Sequence, residues 1–144
     1  MTHEDAGHYA AKHPAGSAAD PIIAAAVNAK AEDGEVACAD AHRIANELQL
    51  VPAEVGAVID LLEKRIKHCQ LGLFGYRPQR KILSPAETVN QALAGALTEA
   101  ASDRRISCVK CWEIADEFGF ERLMVAAACE KMGLKIKPCQ LGAF

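Results

Sequence analysis

Cysteine is the residue with the most reactive chemistry in this 144-residue chain, and four of its six copies fall in the second half. Cys108 and Cys111 form a C-x-x-C pair, with Cys129 and Cys139 downstream. Four thiolates suffice to hold zinc or an iron–sulfur cluster. The first half offers only Cys38 and Cys69, with Ala41 and Ile59 standing 70 residues before Cys111 and Cys129. A metal essential to both halves would need ligands in both. The pattern therefore favours reduced, buried thiols packing as small hydrophobes, with a metal site or a thiol switch as the alternatives. No cofactor is expected.

Histidine gives less. His3, His8 and His13 recur every five residues, a spacing that does not keep side chains on one helical face. They sit in a stretch of low apolar periodicity that reads as a flexible tail over residues 1–19. His42 and His68 are replaced by Trp112 and Pro138 in the other half. There is no phosphate-cradling glycine loop and no nucleophile elbow, so no enzyme is expected.

The cations are distributed unevenly. Lys64, Arg65, Lys67, Arg77, Arg80 and Lys81 fall within residues 64–81, which hold no acid, although the whole chain carries a net charge of −3. Such a block suits phosphate contacts and salt-dependent binding to nucleic acid. It equally suits a solvated hairpin edge.

The elements that carry these residues are mostly helical by pattern. Hydrophobic residues make up 51% of the chain and aromatics only 5%, a balance of small aliphatics that favours close-packed helices over a sandwich. No apolar run reaches the length of a membrane span, and a soluble, cytoplasmic protein is expected. Asp20-Pro21 opens a helix that ends near Asp33-Gly34. Helices follow from Asp40 to Leu48 and from Pro52 to about Glu63. Arg65–Phe74 reads as a strand, Gly75–Gln79 as a turn and Lys81–Leu83 as a returning strand. A capping box at Ser84–Glu87 predicts a further helix to about Ala101.

The chain repeats itself. Residues 36–74 align without a gap on 106–144, with thirteen of thirty-nine positions identical. The alignment ends on Cys69-Gln70-Leu71-Gly72-Leu73-Phe74 and Cys139-Gln140-Leu141-Gly142-Ala143-Phe144. An internal duplication is read from this. The expected domains are a tail over 1–19, a first repeat over 20–83 and a second over 84–144. The repeated hexapeptide is expected as the strand after each third helix, the two strands joining in one sheet.

The order helix, short strand, helix, tight turn, helix, strand resembles the winged helix-turn-helix fold. In residues 41–60 Ala45 stands where that motif needs a small residue, with Ile44, Leu48, Leu50, Val55 and Val58 at its apolar positions. Residues 111–130 match through Ala115, Ile114, Phe118, Phe120 and Val125. There Gly119 fills the turn position that Gln49 holds in the first copy. The resemblance implies a mainly α protein with small β elements, built as two tandem winged-helix-like three-helix domains, each ending in a short strand. It also implies a DNA-binding role in transcription regulation, with Ala53–Lys64 and Arg122–Met132 as groove-facing helices. Their outward residues would be Ala53, Glu54, Ala57, Asp60 and Glu63, and then Leu123, Met124, Ala127, Glu130 and Lys131. None is of a type that usually reads bases. DNA contacts would fall to the six wing cations. The alternative is a protein-interaction or dimerisation module in which Leu123, Met124 and Ala127 dock a partner or second copy. A thiol- or metal-based sensor at Cys108, Cys111, Cys129 and Cys139 is a lesser one.

Overall fold

The computed structural model describes residues 7–78 and 80–144, so His3 and Gln79 lie outside the described residues. The protein is mainly helical, with 48% helix and a few short strands. Its chain divides into two compact units. One holds the residues up to Cys69 together with Leu141–Phe144, and the other holds Gln70–Gln140. Sequence reading places the division at 83/84. The described chain divides earlier because residues 70–83 pack within the second unit, and 141–144 within the first.

In the first unit, α1 (Pro21–Lys30) starts where the Asp20 carboxylate accepts from the Ile22 and Ile23 amides, with proline at the first helical position. Strand β1 (Glu35–Ala37) runs directly into α2 (Cys38–Glu47). Then come α3 (Pro52–Leu61) and β2 (Arg65–Lys67). The strands pair in parallel, Val36 opposite Ile66, the two helices supplying the crossover that parallel strands require. The core gathers Ile23 and Val27 of α1, Ala41 and Ile44 of α2, and Val55, Val58 and Ile59 of α3.

The second unit has the same order: α4 (Gln91–Ala100), β3 (Arg105–Ile106), α5 (Cys108–Phe118), α6 (Arg122–Met132) and β4 (Lys135–Ile136). Its register matches at the offset of 70: Glu35 opposes Arg65, and Arg105 opposes Lys135. Between α5 and α6, Gly119 takes the left-handed conformation at φ 68°, and Gln49 takes it at the matching place in the first unit at φ 56°. The turn geometry is thus the same, with the strain on glutamine in one copy only.

Four local expectations are corrected. The strand expected over 65–74 stops at Lys67, and the described residues of 81–83 form no strand. The strands do not join: two separate two-stranded sheets form. Helix α4 begins at Gln91 rather than near Pro85, because Asn90 caps it, its side chain accepting from Leu93 N at 3.1 Å. The Ala86 amide is instead used in a tertiary bond to the Ala127 carbonyl, 3.1 Å away.

Candidate functional site

The third helices, α3 and α6, are the elements expected to face a partner; α3 is covered along most of its surface, whereas α6 leaves Leu123, Met124 and Lys131 exposed. In α3, Val55, Gly56, Val58, Ile59 and Asp60 are all buried, leaving no continuous exposed stripe. Asp60, expected outward, is 2% exposed. What buries it is the segment before α1. A 3-10 turn (Tyr9–Lys12) lies on α3 with Tyr9 at 2% exposure, and the Glu63 carboxylate accepts from the Tyr9 and Ala10 amides at 3.0 and 2.7 Å. His13 Nε2 and Lys12 Nζ stand 2.8 and 3.2 Å from Asp60 Oδ2. Residues 9–13 are therefore tied down where the sequence predicts a flexible tail. Two buried-edge acids and a tyrosine hold them.

Residues 141–144 cover the middle of α3. Gly56 is the reason they fit. A Cβ there would lie 1.8 Å from the Leu141 carbonyl oxygen, so only a bare Cα admits this backbone. Leu141 and Ala143 are 1% and 2% exposed, and Lys12 Nζ donates to the Gly142 carbonyl at 3.0 Å.

In the second unit, residues 70–86 touch α6 at Leu123, Ala127 and Glu130. The Gly72 carbonyl accepts from the Ile82 and Leu83 amides at 3.1 and 3.2 Å. Leu123 Cδ1 and Ile82 Cγ1 both close over the bare Gly72 Cα. Lys81 Nζ pairs with Glu130 Oε1 at 2.9 Å, the acid standing 70 residues after Asp60. Arg122, at the first position of α6, lies 3.6 Å over the Trp112 ring and donates to Gln70 Oε1 at 3.4 Å. Of the expected interface residues, Met124 is 50% exposed and Leu123 39%, while Ala127 is half-buried. Ile82 adds an apolar neighbour at 42%.

The expected wing residues do not share one element. Arg65 is exposed on β2, with Lys64 and Lys67 half-buried beside it in the first unit. Arg77, Arg80 and Lys81 are exposed in the second, where Lys81 is engaged with Glu130. An open groove of about 470 Å³ between α4 and α5 is rimmed by Glu99, Glu113 and Glu117 over Ala96 and Ala100, with Lys110 Nζ paired to Glu113 at 3.1 Å. Its carboxylates repel phosphates.

The thiols come together in part. Cys111 and Cys129 are fully buried and hydrogen-bonded to each other, and Cys108 is close enough to act on Cys111 electrostatically. Gln140 Nε2 donates to Cys108 Sγ at 3.4 Å. Cys111 is pushed far above the ordinary thiol range, first by its bond with Cys129, then by burial and the neighbouring sulfur charges. Cys111, held protonated in this way, is a poor nucleophile, whereas the same bond shifts Cys129 below its ordinary range. None of the six cysteines is in a disulfide, and among the described residues no group of three or more His, Cys, Asp or Glu is arranged to hold a metal ion.

Sequence reading missed Gly56, Tyr9 and the Lys12–His13–Asp60 cluster. The signal for Gly56 was a glycine inside a helical pattern, where it costs about 1 kcal/mol relative to alanine unless backbone packs on it. Comparison of the chain with known protein families, curated proteins and solved structures yields no match.

Proposed function

We propose that the protein is a non-enzymatic interaction module in which two helix-turn-helix-derived repeats present an apolar docking face on the second unit. The carrying observation is the covering of α3 by residues 9–13 and 141–144, together with the exposed Leu123 and Met124 of α6 and the exposed Ile82. On α3, Asp60 is covered by Lys12 and His13 and Glu63 is engaged by the Tyr9 and Ala10 amides, so two of the five residues expected to face a groove are taken up within the chain. The element order and the recurring register support descent from a duplicated winged-helix-like unit that has kept its three-helix core. A hairpin wing is not formed among the described residues. The partner assigned to the face is a second copy, because a small apolar patch is self-complementary without demanding an opposite charge. Light scattering tests this: the native chain associates with rising concentration, and Met124→Glu shifts it towards monomer. A native chain that stays monomeric overturns it.

The exposure of Arg65, Arg77 and Arg80 favours a second reading, weak binding to a nucleic-acid backbone. It predicts duplex binding that weakens steeply with salt. Replacing Arg77, Arg80 and Lys81 with Ala would lower the salt slope by roughly one for each phosphate contact removed. No binding at low salt removes it.

A further inference from the structure

We infer that the surface of α3 around Gly56 is a receptor for a Leu-Gly-x-Phe segment, filled in the single chain by residues 141–144 and open to the same segment of a second copy. The first observation is the close approach itself. The Leu141 carbonyl occupies the space that any other residue at position 56 would fill with its own Cβ, and Leu141 and Ala143 are buried in doing so. The second is the cation that completes the cradle. Lys12 Nζ reaches Asp60 Oδ2 at 3.2 Å and the Gly142 carbonyl at 3.0 Å, so one ammonium ties the strap, the helix and the segment together. The third is chain connectivity. Residues 141–144 complete the unit formed by the residues up to Cys69, whereas Gln140 and the chain preceding it belong to the other unit. A segment that finishes a unit it does not follow in sequence is an exchangeable arm. The matching residues 71–74, a segment of the same sequence type, pack in the second unit with Gly72 at φ 74°, as Gly142 is at φ 77°.

The arm is held in cis by a connection that gives it an effective concentration of about millimolar or more, so a second copy competes only when the local arm is disabled or the protein is concentrated. Exchange adds no contact that the single chain lacks. It relocates one. This inference does not rest on the Leu123–Met124 face, and its test removes that face from consideration.

Two full-length chains are made, both carrying Met124→Glu. One also carries Gly56→Val, which fills the cradle but leaves its arm intact. The other carries Leu141→Asp, which disables the arm but leaves its cradle open. Each alone is expected to sediment as a 15.4 kDa monomer, and the mixture, refolded together, as a 1:1 complex of twice that mass. Two unmixed monomers, with both chains retaining their helical circular dichroism, overturn the inference. Should either variant lose its helical signal, Gly56→Ala and Leu141→Ala replace them in the same mixing experiment. The same two outcomes then decide.

Discussion

At the residue scale, two positions show where chain chemistry and backbone demand part company. Gln49 is exposed and left-handed at φ 56°, where the second copy has Gly119. A non-glycine residue pays about 1–2 kcal/mol for that conformation. Gln49→Gly, which also frees the unfolded chain, is expected to raise stability by a net of about 0.5–1 kcal/mol in urea denaturation. Gly56 behaves in the opposite sense. Alanine there would gain about 1 kcal/mol of helix propensity. The added carbon meets backbone rather than a flexible side-chain end, so displacement of Leu141 outweighs that gain and Gly56→Ala lowers the melting temperature. The thiols supply a pH prediction. Cys111 in the folded protein is raised above its unfolded value of 9.0, so its contribution to stability is fully present below pH 9 and is lost as pH climbs further. Unfolding free energy measured between pH 8 and 10.5 should fall, and fall less in Cys111→Ala than in the native chain. C-x-x-C was legible in the sequence. The Cys111–Cys129 bond was not, because two helices had to pack before a third spacing had meaning.

At the element scale, α1, α2, α3 and the turn between α2 and α3 were legible, since proline starts and the period of apolar residues fix them locally. The strands were overread. Residues 68–74 look extended in sequence, yet the backbone turns at His68 and Gly72, both with positive φ. The helix start at Ser84 was overread for a tertiary reason: Ala86 N goes to the Ala127 carbonyl, and Asn90 provides the cap that the helix uses. The 3-10 turn before α1 was invisible because nothing local to Tyr9-Ala10-Ala11-Lys12 demands it. Its stability is supplied by Glu63 and Asp60, about fifty residues away in sequence. Tyr9→Ala should therefore cost about 3 kcal/mol and open residues 7–19 to proteolysis at low protease, while α2 and α5 stay protected. Unchanged protease resistance would mean that the turn is not held by its ring.

At the scale of the whole molecule, the two units pair their strands in the same register at an offset of 70, and the segments expected as long strands stop pairing after Lys67 and Ile136. The covering of α3 turns the functional expectation. A third helix free on one side can read a groove; α3, covered by residues 9–13 and 141–144, is a core helix, and the exposed apolar surface left for a partner lies at Leu123, Met124 and Ile82 in the second unit. Among the described residues no helix is long and apolar enough to cross a membrane. The six cations of residues 64–81 that suggest nucleic acid are divided between the two units. The most direct test is sedimentation velocity at low salt of the native chain mixed with a fluorescent duplex, recorded at both the protein and the dye wavelengths. The account predicts a protein boundary that moves faster with concentration and returns to monomer in Met124→Glu, while the duplex sediments as it does alone. A monomeric protein that carries the duplex with it, in a complex dissolved by salt, would contradict the account.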